Sequence, residues 1–301
     1  MARSGLALTL WACAVVGVLG GCQQPDAVTE ASFVKIGTTK ADLFGLPGEY
    51  RALHMRLEKR LERPVRFVAQ PDGPAIAAQL EQGNLAYAFL SAAEYAAIEN
   101  PEKLTPLAAG VNSLGRTSRK ALIVARSNSS IQKIAECKGK RFAFGGYRDP
   151  LTDFAARRTI EEAGLSVKDL WPELIPPPPI AMEGRLYLRD DVAKTVVNDP
   201  TVEVGVVDEA YYVRLPESGG NFITGPSRDQ LRVIGETVAV PEVLFVAGPS
   251  AEPRITELLK DELLNAVKDD EAACRQLGLK GFAAPDIAAY EAVRGVLAPP
   301  K

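Results

Sequence analysis

The sequence predicts an α/β fold of two lobes, each a mostly parallel sheet flanked by helices, with a cleft between the lobes. Three observations carry that prediction. Short apolar runs rich in Val, Ile, Leu and Phe alternate with stretches whose apolar residues recur at helical spacing. The alternation runs once from residue 33 and restarts at Lys120. At 301 residues, 47% of them hydrophobic, the chain is long enough for two such units with a core in each.

Taken in order, "FVKIGTT" (33–39) reads as a strand ending in small polar residues. "EYRALHMRLEKRL" follows as a helix, with Leu53, Leu57 and Leu61 on one face. "PVRFVAQ" is a second strand, "GPAIAAQLEQG" a helix stopped at Gly83, "LAYAFLS" a third strand and "AAEYAAIE" its helix. The pattern then repeats. "KALIVARS" is a strand, "SSIQKIAECKGK" a short helix and turn, and "RFAFGG" a strand. "PLTDFAARRTIEEAGL" is a helix ending at Gly164, and "VEVGVVD" the next strand. "QLRVIGETV" and "EVLFVAG" return as strands that cross between the lobes, and Ile255 to Val296 reads as two or three packing helices. The proline run "LIPPPPIA" (174–181) cannot lie inside a helix and reads as an extended surface connection. The boundaries expected are 33–118 with 236–301 for lobe 1, and 119–235 for lobe 2.

The start of the chain is of a different kind. "MARSGLALTLWACAVVGVLGGC" has one Arg, an apolar run from Leu6 to Leu19 and then small residues, the layout of a secretory signal. The run is shorter than the ~20 apolar residues of a spanning helix. "LGGC" resembles a bacterial lipobox, which makes residues 1–22 a lipoprotein signal peptide, Cys22 the lipidation site and 23–32 a linker; a cleaved signal with an incidental Cys is the plainer reading. The resemblance places the protein on the periplasmic side of the cell envelope, tethered to a membrane. Gln23 instead of Asp points to the outer membrane if the cell is Gram-negative. Of the four cysteines, Cys137 and Cys274 remain after Cys13 and Cys22, and they fall in different lobes, as separate thiols.

Composition excludes several functions. A net charge of −3 with interspersed signs offers no basic stripe for nucleic acid. His54 is the only histidine and sits in a helix with no nucleophile motif beside it, so neither a Ser-His-Asp arrangement nor a His-rich metal site can be built. No Cys-x-x-Cys pair and no nucleotide fingerprint is present, so no metal, no cofactor and no enzymatic activity are expected.

Several stretches carry a family likeness. "VKIGTTKADLFGLPGEYRALHMRLEKRLERPVRFVAQ", "LEQGNLAYAFLSAAEY" and "ALIVARSNSSIQKIAECKGKRFAFGGYRDPLTDFAARRTIEEAGL" resemble the phosphate/phosphonate-binding family of type II periplasmic binding proteins, the solute-binding components of ABC transporters. "VAKTVVNDPTVEVGVVDEAYY" continues the likeness. The resemblance implies a lipid-anchored, monomeric protein that holds a small polar or anionic ligand, phosphate- or phosphonate-like, between its lobes and delivers it to an ABC permease. In the family a Ser-Thr-Ser-Gly run opens the helix after the "FAFG" strand and holds the oxyanion; here that run falls on Asp149-Pro150-Leu151-Thr152. Asp149 would repel an anion, Pro150 lacks an N–H, and Thr152 keeps a hydroxyl. Arg119 stands where relatives often have Tyr, Arg189 near a family His, and Ala86 at a family Asp, while Tyr95 matches an aromatic near the cleft.

The candidate ligand residues each read two ways. "DPLTD" is a well-formed helix start, with Asp149 as N-cap and Pro150 in the first turn; in the functional version Arg148 and Thr152 also face the cleft. Thr38 and Thr39 end the first strand, where open α/β sheets bind ligands, yet strand-end Thr is ordinary turn chemistry. Ser91 is a helix cap or a ligand contact, and Tyr95 a stacking ring or a core one. Asp208 and Tyr211 follow "VEVGVV" at a lobe edge, with capping the alternative for Asp208. Arg119 and Arg189 are surface charges, or else bidentate anion holders. The competing function is a sensory or interaction lipoprotein that keeps the fold around a degenerate ligand site.

Overall fold

Apolar strands and amphipathic helices assemble around two separate main sheets. The computed structural model describes residues 33–39, 51–145, 149–170, 192–221, 223–266, 273–274 and 277–297. The first sheet draws on β1 (Val34–Thr38), β2 (Val65–Ala69), β3 (Tyr87–Leu90), β4 (Thr105–Asn112), β11 (Leu244–Ala247) and β12 (Leu279–Ala283), in the order β12-β4-β11-β3-β1-β2. The second draws on β6 (Ala121–Arg126), β7 (Phe142–Ala143), β8 (Val204–Asp208) and β9 (Leu231–Glu236), in the order β7-β8-β6-β9. A short antiparallel pair, β5 (Ser118–Arg119) with β10 (Val240–Pro241), lies where the chain passes from one sheet to the other.

The α/β class holds, but the pairing is more mixed than the sequence suggested. β1 pairs in parallel with β2 and β3, and β7 with β8. β11 runs antiparallel to both its neighbours, β12 to β4, and β6 to β8 and β9. The first sheet's antiparallel pairings all involve β11 or β12, which join it only after the chain has built the second sheet. Two strands of the first sheet depart from the sequence reading. β4 was not expected, because Pro106 and Gly110 interrupt its apolar run. β12 falls inside the segment read as wholly helical; buried Leu279, Gly281 and Phe282 around exposed Lys280 follow the strand pattern.

Helices cover both faces. α1 (Arg51–Leu61) buries Leu53, Leu57 and Leu61, each contributing roughly 1.5–3 kcal/mol when fully removed from water. Its apolar face and that of α7 (Pro253–Asp261) share a cluster with Phe89 and Phe245 of the first sheet. α2 (Gly73–Glu81) is capped by Asp72, whose carboxylate accepts from Ala75 N at 2.8 Å. α3 (Ala92–Ala96), α4 (Ala156–Glu162), α5 (Val192–Asn198), α6 (Glu209–Arg214) and α8 (Ile287–Leu297) complete the set. A turn of π-helix, Pro150–Ala155, leads into α4, which stops at Gly164 with φ of 82°, a conformation open to glycine.

One core runs beneath both sheets. Leu244 and Val246 of the first share a cluster with Ile123 and Val204 of the second, through Leu151 and the Tyr290, Val293 and Leu297 face of α8. The outer face of the second sheet closes separately under α5. Cys137 and Cys274 are buried and not joined to each other, Cys137 in the shared core and Cys274 in the first sheet's cluster. His54 is structural: its Nε2 lies 2.8 Å from the carbonyl of Val65. No helix among the described residues is long and apolar enough to cross a membrane. Cys22, the linker and the proline run lie outside the described residues.

Candidate functional site

The ends of β1, β3, β4 and β8 meet the crossing strands around a cavity of about 270 Å³. Of the residues singled out in the sequence, Thr38, Thr39, Ser91, Arg119, Asp208 and Tyr211 line it. Tyr95, Asp149 and Thr152 do not, although Pro150 does. Arg148 and Arg189 lie outside the described residues.

Each wall residue is placed by local structure. Ser91 caps α3 in a reciprocal capping box: Glu94 N donates to Ser91 Oγ at 3.3 Å, and Ser91 N donates to Glu94 Oε2 at 2.6 Å. The other Glu94 oxygen accepts from the Thr39 hydroxyl, tying the end of β1 to α3. Asp208 ends β8 and caps α6, accepting from Ala210 N at 2.7 Å. α6 then turns Tyr211 and Arg214 onto the wall. Arg119, from β5, donates through Nη1 to Asp208 Oδ2 at 3.3 Å. Its Nε lies 3.6 Å from Glu242 Oε1, a charge contact beyond hydrogen-bond range, so this buried N–H makes no hydrogen bond among the described residues.

Glu242 was not visible in the sequence as a site residue. It follows β10, is only 8% exposed, and accepts from Asn112 Nδ2 at 3.2 Å. Asn112 also donates to the Ser118 carbonyl at 2.8 Å and accepts from Leu114 N and Arg116 N, which fixes the turn after β4. Arg214, Val243 and the Leu277–Leu279 turn complete positions that strand and helix periodicity could not bring together. The only local signal for Glu242 was a carboxylate at the start of an apolar strand. Among the described residues, the charged wall groups are Arg119 and Arg214 against Glu94, Asp208 and Glu242. Two cations can hold an anionic group, while the carboxylates are engaged by Ser91 N, Thr39, Ala210 N, Asn112 and Arg119.

The "DPLT" segment spends its polarity inward. One oxygen of Asp149 accepts from Leu151 N at 3.0 Å, Thr152 N at 2.8 Å and the Thr152 hydroxyl at 3.0 Å. Leu151 is fully buried and Thr152 is 2% exposed, and a Cβ at Gly145 would come within 2.0 Å of Thr152 Oγ1. The N–H groups that a bound oxyanion would use are therefore taken by the chain's own carboxylate. Tyr95 is likewise in the core: its hydroxyl donates to Glu291 Oε1 at 3.2 Å, its ring meets Tyr290 edge-on at 5.6 Å, and burial pushes its pKa up to about 12.

Comparison with known proteins gives a consistent result. The family model of phosphonate periplasmic substrate-binding proteins of ABC transporters matches residues 46–290. A Xanthomonas citri protein bound to ATP superimposes with a TM-score of 0.63 at 16% identity, over 88% of this chain and 97% of that one. PhnD1 of Prochlorococcus marinus in complex with methylphosphonate gives 0.58 at 16% identity, over 88% and 97%. A binding protein component of an ABC phosphonate transporter from Pseudomonas aeruginosa gives 0.53 at 15% identity, over 88% and 85%. At these identities the structural likeness establishes the fold, the type II periplasmic binding fold.

Proposed function

Because the chain belongs to the phosphonate periplasmic substrate-binding family of ABC transporters, we propose that it captures a small anionic ligand of the phosphate or phosphonate type in this cavity. The family serves transport and is not one of enzymes; its members bind a small ligand and dock on an ABC permease. The finer reading rests on one observation, the guanidinium of Arg119 on the cavity wall with a buried N–H that makes no hydrogen bond among the described residues. An oxyanion is the ligand chemistry that such a donor takes best. Arg214 supplies a second cation, and Thr38, Thr39, Ser91 and Tyr211 line the remainder. The methylphosphonate held by the Prochlorococcus relative and the ATP held by the Xanthomonas one support a phosphorus oxyanion, held here by side-chain cations.

A thermal-shift panel tests the reading, because a ligand that binds only the folded state at 100 times its Kd adds about 2.7 kcal/mol of stability. Phosphate, phosphite and alkylphosphonates are expected to raise Tm. A response only to cationic or zwitterionic solutes would mean a changed specificity. Silence across a broad panel would favour the sensory or interaction protein, for which the self-capped Asp149 segment speaks.

We further propose that the mature chain is monomeric, that 33–118 with 236–301 and 119–235 act as its two lobes, and that Cys22 carries the lipid that anchors it on the periplasmic side. Replacing Cys22 with Ala is expected to move the protein from the membrane fraction to the soluble one. If the variant stays with the membrane, Cys22 is not the anchor.

A further inference from the structure

Among the described residues, the backbone passes between the two main sheets at two places only: residues 113–120, between β4 and β6, and residues 237–243, between β9 and β11. The two passages pair as β5 and β10, with Val240 opposite Arg119 and Pro241 opposite Ser118. Any rotation of one sheet relative to the other has to be absorbed in this ribbon.

A line of polar side chains follows it. Asn112, at the end of β4 in the first sheet, donates to Glu242 at 3.2 Å. Arg119, on the ribbon, stands 3.6 Å from the same Glu242 oxygen and donates to Asp208 at 3.3 Å, at the end of β8 in the second sheet. Arg116 repeats the crossing one step further out, pairing with Glu209 next to Asp208. All four members of the inner line face the cavity. Both Arg119 links are longer than the ~2.7–2.9 Å of a well-made charge-assisted bond, so the guanidinium sits between two carboxylates without being bound tightly to either. Its Nε–H, out of reach of water, is left over.

We propose that Arg119 is the positioning residue that couples anion binding to the hinge. It ties Glu242 on the ribbon to Asp208 on the second sheet. An anionic ligand completes the hydrogen bond that Nε lacks, and can do so only by drawing the side chain out from between the two carboxylates. That exchange loosens one sheet's hold on the ribbon while the ligand takes up the other. It gives ligand binding the differential interaction with two arrangements that a population shift requires. A fixed structural ion pair would be expected to show short, fully paired geometry instead.

The ligand half of this proposal rests on the function proposed above; the hinge half does not. The experiment is single-molecule energy transfer on the full chain. Dyes are placed by Glu99→Cys, beside α3, and Asn128→Cys, after β6, both exposed, while Cys137 and Cys274 are buried. Without ligand, Arg119→Met is expected to broaden or shift the distance distribution, and Arg119→Lys to restore part of it. Inorganic phosphate or methylphosphonate is expected to move the parent distribution but not that of Arg119→Met at equal occupancy. Where Arg119→Met does not fold, Glu242→Gln supplies the ligand-free measurement, since it keeps a partner for Asn112 and removes the charge facing Arg119. Identical ligand-free distributions in the parent and the variants overturn the proposal. A full ligand-driven shift in Arg119→Met at saturation also overturns it and reduces Arg119 to a plain ligand contact. A parent that binds neither anion overturns the ligand half together with the proposed function, and the ligand-free comparison still decides the hinge tie.

Discussion

The helix start at Asp149 and the cavity wall around Arg119 carry the same kinds of residue and meet opposite fates. At Asp149 one carboxylate oxygen collects three donors from its own segment, and the side chains of Leu151 and Thr152 are buried. At Arg119 a cation reaches two carboxylates on different elements at 3.3 and 3.6 Å and keeps a donor in hand. A polar group satisfied within four residues of itself is structure. One satisfied imperfectly across elements separated by some 90 to 120 positions is available for work.

The contrast can be broken or sharpened by measurement, beginning with the largest effect. Leu151→Ala removes a fully buried side chain from the shared core and is expected to cost about 2–5 kcal/mol in denaturant unfolding. A loss under about 1 kcal/mol would mean the segment is not core, and the comparison would collapse. Gly145→Ala drives a Cβ against Thr152 and is expected to cost roughly 1–3 kcal/mol, with the loss relieved when Thr152 is also made Gly. Asp149→Ala loses an N-cap, about 0.5–2 kcal/mol, and Asp149→Ser loses less because serine also caps. Phosphate affinity should be unchanged in Asp149→Ser; a clear gain would move this residue into the cavity.

A gentler effect comes from alkaline pH. Burial raises the Cys137 thiol to about 11 from its ordinary 9 and the Tyr95 hydroxyl to about 12 from 10, and raises Tyr290 and Tyr87 as well. Above pH 9 the unfolded chain releases these protons while the folded chain still holds them, so the unfolded state binds fewer protons and stability falls as pH rises. The contribution is whole below the ordinary values and lost as pH climbs through the raised ones. Unfolding free energies between pH 8 and 11 should therefore decline, and a flat profile would show that these side chains are less buried than described. Tyr95 contributes to that decline only if it is core rather than cavity wall, so the Tyr95→Phe variant should flatten the profile.

Much of the fold was legible. The leucines of α1 at helical spacing, the apolar strands β1, β3, β6 and β8, and Gly83 and Gly164 as helix stops are local signals, and the structure honours them. β4 and β12 were missed because Pro106, Gly110 and Gly281 blur the strand pattern, and both are held in register by partners far away in sequence. For the site, strand ends and helix caps pointed to Thr38, Thr39, Ser91 and Asp208, since those places are defined by local geometry. Nothing local could distinguish Tyr95, which turns into the core against Tyr290, or reveal Glu242.

The sequence by itself determined the α/β class, the helix caps and the family likeness, because each depends on residues a few positions apart. The tertiary structure decided which polar groups reach the cavity. It set Asn112, Arg119, Asp208 and Glu242 side by side across 130 residues of chain, a proximity that pairing of distant strands creates and that no local preference encodes.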